Sequence, residues 1–186
     1  ITTFSPLQNA GVGPGSRVGI VGMGGLGHVA VQIAAAMGAE VTVFSHGLSK
    51  KDDGLRLGAT NYVATADEGF DKPFRDTFDV IIDTVSAPHD VNSFIKMLGR
   101  KGRLVLLGLP TEAMQIPAGL LIGKGRSVLG SAIGGIKQTQ DMIDFCAEHN
   151  ITAETEVIPA EQINEAYQRV IDSDVRYRFV IDAATF

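Results

Sequence analysis

The residues with the clearest chemical potential are Gly22-Met23-Gly24-Gly25-Leu26-Gly27. Glycines at this spacing have separate jobs. The first permits a tight turn, the second lets backbone approach a diphosphate without a Cβ in the way, and the third lets a following helix pack closely on a sheet. A helix starting there adds unpaired N–H groups and the positive end of its dipole. A second group, Ser45 and His46 with Lys50 and Lys51, lies further on. Where a glycine turn of this kind holds a dinucleotide, that position reads the ribose: an acid there binds the 2′-hydroxyl of NAD and repels the 2′-phosphate of NADP. Here a hydroxyl and cations stand in its place, so Ser45 can donate to a 2′-phosphate and Lys50 can neutralise it. The alternatives are a glycine turn that is only structural, lysines that form a solvated pair balanced by Asp52 and Asp53, and a site that takes both cofactors.

These groups need a strand before the turn and a helix after it. Ser16-Arg17-Val18-Gly19-Ile20-Val21 is apolar and β-branched; His28 to Met37 is alanine-rich and stops at Gly38. A second strand is predicted at Glu40–Phe44, a helix opening at a Ser49 cap with Asp52 three residues on and closing at Gly58, and a third strand near 62–64. Phe78–Asp83 predicts a buried strand, Asp90 caps a helix ending at Gly99, and Gly102–Gly108 and Arg126–Ser131 are further strands. The stretch 67–72 predicts a surface loop or short helix, 118–122 a short helix, and 136–149 an amphipathic helix. Strands alternating with helices, several of them apolar without a period of two, predict a doubly wound parallel α/β sheet with ligands at its C-terminal strand ends. Residues 1–15 are rich in turn formers and show no period. From 151 the pattern changes to strand, helix and strand, with Ile163, Ala166, Tyr167, Val170 and Ile171 forming a helical stripe. The expected division is 1–150 for the dinucleotide-binding domain and 151–186 for a tail that need not join the same sheet.

At 186 residues and 45% hydrophobic, the chain can bury a core. A net charge of −5 argues against nucleic-acid and anionic-membrane partners. The one cysteine, Cys146, allows no internal disulfide and fits a reducing cytoplasm. No apolar run approaches the ~20 residues of a membrane helix. With His149, Cys146 forms a Cys-x-x-His pair, read as core because no other half of a metal site is visible. His28 is open between a place near the diphosphate and a surface position at a helix start. His89 has no visible partner.

Taken together, Gly11-Val12-Gly13-Pro14-Gly15, Val21 to His28, Leu57-Gly58-Ala59, Asp83-Thr84-Val85, Leu107-Gly108, Leu129-Gly130-Ser131 and Asp174-Val175-Arg176-Tyr177-Arg178-Phe179-Val180 resemble the zinc-dependent medium-chain alcohol dehydrogenases. The resemblance is to their NADP-dependent, cinnamyl-alcohol-dehydrogenase-like branch, and it runs over essentially the whole chain. It implies a Rossmann-type fold and reversible hydride transfer between NADPH and an aldehyde, giving a primary alcohol, with zinc as Lewis acid. By the same resemblance Thr2 touches the nicotinamide side, Gly22 to Gly27 hold the diphosphate, and Ser45, His46 and Lys50 hold the 2′-phosphate. His46 stands where serine or threonine is common. Thr84, Gly108, Ser131, Ala132 and Ile133 match further positions along the cofactor.

The family's zinc-binding cysteines have no counterpart here, so no catalytic or metal-binding residue is assigned to this chain. The expectation is a coenzyme-binding half whose tail returns to a catalytic domain lying outside the sequence, which starts at Ile1. The strand near Val128–Ser131, with Ile133, is expected to pair across a dimer axis. The other readings are a dinucleotide-binding module without catalysis and a zinc-free quinone-reductase-like relative; the tail motif argues against the latter. A short-chain dehydrogenase would need Tyr-x-x-x-Lys, but Tyr62, Tyr167 and Tyr177 are followed at that spacing by Ala66, Ile171 and Ile181. A Walker loop fails because Gly123-Lys124 is followed by Gly125.

Overall fold

A computed structural model describes residues 1–186. The chain forms two compact units, Ile1–Ile151 and Thr152–Phe186. The first is built on strands β1 (Arg17–Val21), β2 (Glu40–Ser45), β3 (Asn61–Ala64), β4 (Phe78–Asp83), β5 (Leu98–Leu106) and β6 (Ser127–Gly130). All neighbours run parallel, in the order β3-β2-β1-β4-β5-β6. The connections therefore run outward one way from β1 to β3 and the other way from β4 to β6. The point of reversal, between β1 and β4, is where such a sheet opens a crevice at its C-terminal rim. This is the doubly wound, Rossmann-like sheet that the alternating pattern predicts.

Parallel strands covered on both faces need apolar side chains on both sides. Val18, Ile20 and Val21 of β1, Val41, Val43 and Phe44 of β2, and Val80, Ile81 and Ile82 of β4 are all buried. Phe44 anchors an aromatic cluster, with ring centroids 5.4 Å from Phe74, 5.6 Å from Phe78 and 5.8 Å from Phe94. The covering helices are α1 (Phe4–Asn9), α2 (Gly27–Ala36), α3 (Lys51–Arg56), α4 (Val91–Met97), α5 (Ala118–Ile122) and α6 (Ile136–Glu148). Gly38 and Gly58 adopt positive φ just past α2 and α3, as helix-ending glycines do. Asp90 caps α4 through Asn92 N at 3.0 Å, as its position predicts.

Four local expectations are corrected. The entry segment carries α1, whose Phe4 and Leu7 are buried; two apolar residues in one short helix leave no readable period. Lys50, rather than Ser49, occupies the cap position of α3, without a side-chain cap bond. Strand β5 begins directly at Leu98 and runs through Gly99, where a helix stop is expected, because Leu98 pairs with Phe78 of β4. It ends at Leu106, leaving Leu107 and Gly108 in the following turn. The stretch 67–72 is the loop expected there, leading into a 3-10 turn at Lys72–Phe74.

The second unit holds β7 (Thr155–Ile158), α7 (Ile163–Ile171) and β8 (Arg178–Ile181), with β7 and β8 paired in parallel as a separate sheet. Arg169 of α7 donates to Glu156 of β7 at 2.8 Å, and Glu156 also accepts from Arg176 N at 3.0 Å. Together these bonds hold the helix and the return loop against the strand. Ala166, Val175 and Tyr177 are buried, while Val157, Tyr167, Ile171 and Phe186 are exposed.

Candidate dinucleotide site

Because the six strands are parallel, the residues that follow them share one rim. Gly22 to Gly27 follow β1, Ser45 and His46 end or follow β2, Thr84 follows β4, Gly108 lies two residues past β5, and Ser131, Ala132 and Ile133 follow β6. Thr2 is not at a strand end. The adjacent Ile1 side chain lies against Gly134, just past Ile133, and Gln138 of α6 donates to Gln8 of α1 at 2.7 Å. These contacts bring the segment that carries Thr2 next to the residues that follow β6.

The glycine turn is tight at two positions and open at one. Gly22 has φ +91°, and a Cβ on it would stand 2.7 Å from Thr84 Oγ1 and 2.9 Å from Val85 Cγ2. A Cβ on Gly27 would stand 1.9 Å from the Gly22 carbonyl oxygen. The close approach at Gly27 is thus to the backbone that leaves β1, with Thr84 Oγ1 next at 3.7 Å. Around Gly24 nothing lies within 4 Å of where a Cβ would be. The cradle is therefore open on the side where a diphosphate would approach, and its shape fits that group.

His28, at the start of α2, is buried, which settles it against a surface position. Its Nδ1 lies 3.0 Å from the Gly24 carbonyl, which also accepts the His28 N–H at 3.1 Å. A carbonyl can only accept, so Nδ1 carries the proton and the ring pins the turn. On the far side of the crevice, Thr84 Oγ1 donates to Val21 O at 2.7 Å, and Thr84 N donates to the same oxygen at 3.0 Å.

At the end of β2, Ser45 is half-buried, His46 is exposed, and Lys50 is only 8% exposed at the cap of α3. No Asp or Glu stands between Ser45 and Lys51. A cation at a helix N-terminus works against the helix dipole, and a nearby phosphate would reverse that sign.

One pair escaped the sequence reading. Asp83, the last residue of β4, is 1% exposed in its side chain, and its Oδ2 lies 2.9 Å from His89 Nε2. The hydrogen bond to Asp83 pushes the His89 pKa above its usual value, over the opposing effect of burial and with help from the Ala87 carbonyl and the Asp83 and Asp90 charges. The available signal was a carboxylate ending an apolar strand, which must find a partner when buried. His89 also lines a cavity of about 260 Å³ with Asp90, Asn92, Glu112 and Met114. Elsewhere, Cys146 is half-buried with its Sγ 3.7 Å from Met142 Sδ, and burial pushes its thiol pKa up. No three His, Cys, Asp or Glu side chains gather in an arrangement that could hold a metal ion, so the chain's residues do not fit a zinc site. No helix is long and apolar enough to cross a membrane.

Known proteins are similar to this chain in sequence and fold. The chain is 55% identical over its whole length to NADP-dependent alcohol dehydrogenase C 1 of Mycolicibacterium smegmatis, covering 53% of that protein. It superposes on a cinnamyl alcohol dehydrogenase of Sorghum bicolor with a TM-score of 0.94 at 42% identity, covering 98% of this chain and 52% of that one. A cinnamyl alcohol dehydrogenase of Helicobacter pylori, solved in complex with NADP(H), matches with a TM-score of 0.88 at 39% identity, covering 99% and 52%. The chain thus spans about half the length of the relatives it matches. The family model for zinc-binding dehydrogenases matches residues 25–148, and on this match and the whole-length likeness the chain belongs to the zinc-binding dehydrogenase family.

Proposed function

We propose that this chain is the NADP(H)-binding part of an alcohol dehydrogenase that interconverts an aldehyde and a primary alcohol. The observation that carries the reading is the composition of the rim: an open glycine turn at Gly24, with Ser45, His46 and a buried Lys50, and no acid, at the end of the neighbouring strand. The turn's backbone N–H groups and the start of α2 would receive the diphosphate. Ser45 and Lys50 would receive the 2′-phosphate, by a hydrogen bond and a compensating charge. Thr2, Thr84, Gly108 and Ser131 to Ile133 would border the remainder of the cofactor. Bound NADPH supplies the hydride; this chain's residues bind and orient it. The relatives' NADP dependence and the NADP(H) complex of one of them support the choice of cofactor.

Zinc, if the whole protein uses it, belongs to residues outside this chain. Residues 151–186 fit a return segment of the domain that would carry it, since their small sheet leaves Val157, Tyr167 and Ile171 exposed. The whole protein is a dimer paired through β6, acting in the cytoplasm.

Titration of the intact protein with NADPH and NADH tests the reading. NADPH should bind well ahead of NADH, and Lys50→Ala should erase that preference while leaving NADH affinity nearly unchanged. Stronger binding of NADH to the unaltered protein would overturn the cofactor assignment.

A further inference from the structure

We propose that His89 is a positioning residue for the dinucleotide: as an imidazolium it cancels the charge of Asp83 and keeps the floor of the crevice neutral toward an anionic ligand. This rests on the reading of the rim as a dinucleotide site.

The place of Asp83 carries the argument. In the β1–β4 ladder Asp83 is the partner of Val21, the residue directly before Gly22. The next two residues, Thr84 and Val85, face Gly22 of the turn that would hold the diphosphate, so the charge of Asp83 sits one residue from that contact. The carboxylate folds forward over the strand end, with Oδ1 accepting from Val85 N at 3.0 Å. Its other oxygen accepts from His89 Nε2 at 2.9 Å. A buried carboxylate beside a diphosphate would oppose the ligand unless an opposite charge faced it.

His89 supplies that charge by its bonding. Nδ1 lies 2.9 Å from the Ala87 carbonyl oxygen, while Nε2 faces the carboxylate. Both partners only accept, so both ring nitrogens carry protons and the ring is cationic. The Asp83 and Asp90 carboxylates favour that form, against the opposing effect of burial. Asp83 comes from β4, Asp90 lies beside it on the same loop, and Glu112 faces the shared cavity from the β5–α5 connection. Lys96 of α4 acts on Asp90, and the Phe94 ring stands edge-on at 5.9 Å. The loop so tied is the one that presses on the glycine turn, through Thr84 and Val85 against Gly22, and through the Val85 carbonyl against Gly108. Losing the proton would leave net negative charge at the crevice and slacken this loop together.

The test measures NADPH and NADH dissociation constants for the intact protein from pH 6 to 9.5, in the unaltered protein, His89→Gln, Asp83→Asn and the double variant. Affinity of the unaltered protein should fall as pH rises and the imidazolium loses its proton. His89→Gln should weaken both dinucleotides about tenfold at pH 7, the scale of one uncompensated charge several ångströms from a phosphate, and should flatten the high-pH decline. Adding Asp83→Asn should restore most of that loss. NMR titration of the His89 ring in the unaltered protein gives a readout that needs no variant, and the ring should titrate above the ordinary histidine range. Equal affinities and equal pH profiles for His89→Gln and the unaltered protein would overturn the inference alone, as would a ring that titrates in the ordinary range or below it. Failure of the unaltered protein to bind either dinucleotide would overturn the underlying reading, and this inference with it.

Discussion

Gly27 and Gly22 are in such close approach that a Cβ on Gly27 would stand 1.9 Å from the Gly22 carbonyl oxygen. The first turn of α2 is thus seated directly on the backbone that leaves β1. Gly27→Ala must push helix and turn apart and should destabilise the domain by about 3 kcal/mol or more. Gly24→Ala is the contrasting case, because its Cβ would enter open space. Its unfolding free energy should stay within about 0.5 kcal/mol of the unaltered protein. Its affinity for NADPH should nevertheless drop about tenfold or more, the scale of a lost hydrogen bond to a charged group. Denaturant unfolding and a binding titration on both variants separate the two roles; a Gly24→Ala protein that binds normally would reduce the turn to a structural one.

The Asp83–His89 pair makes stability depend on pH in one direction. The folded state raises the His89 pKa. The pair's contribution is therefore complete below the ordinary histidine value of about 6.5, and it is lost as pH rises through the higher folded value. The stability gap between the unaltered protein and His89→Gln should be widest near pH 6 and should narrow toward pH 9 in urea titrations. A gap that widens with pH would refute the assignment of a cationic ring.

The opposite sign holds at the start of α4. Burial raises the Asp90 pKa, but hydrogen bonds from Ser93 and Asn92 N, with the charge of Lys96, outweigh it and hold the carboxyl low. The cap should therefore contribute above the ordinary carboxylate range and be lost as pH falls through the folded value. Asp90→Ala should cost about 1 kcal/mol at neutral pH and little at the acid limit, as read from thermal unfolding at the two pH values.

Phe44 shows how the core and the rim are coupled. It is fully buried among Phe74, Phe78 and Phe94, and it directly precedes Ser45. Phe44→Ala should destabilise by about 3–5 kcal/mol. Because the space left by the ring would lie under the end of β2, the NADPH preference over NADH should also shrink. Unchanged denaturant midpoints would contradict this packing.

Strand β6 ends the sheet with its outer hydrogen-bonding edge open, and Leu129 and Ile133 are 45% and 68% exposed there. An open apolar edge invites pairing with a second copy. Light scattering of the intact protein should report a dimer, and Leu129→Lys should shift it toward monomer. A strict monomer at high concentration in the unaltered protein would rule out this interface.

The amino-acid sequence by itself determined what is local. Apolar β-branched runs such as Val18–Val21 and Phe78–Ile82 mark strands because a parallel strand is buried on both faces. The glycine spacing marks the turn, Asp90 marks its cap, and Ser45 with Lys50 marks a rim without an acid. Each of these signals lies within a few residues and acts through backbone geometry or burial that neighbours in the chain share. Only the tertiary structure decided which strands lie side by side, and so placed β4 against β1, Asp83 opposite Val21 and Thr84 against Gly22. It buried His28 against Gly24, gave β5 its start at Leu98 by pairing with Phe78, made a helix of Phe4–Asn9 over the sheet, and joined His89 to Asp83. Those outcomes depend on faces brought together from distant parts of the chain, where a side chain's charge and partners are fixed by packing, and no period or spacing along the chain records them.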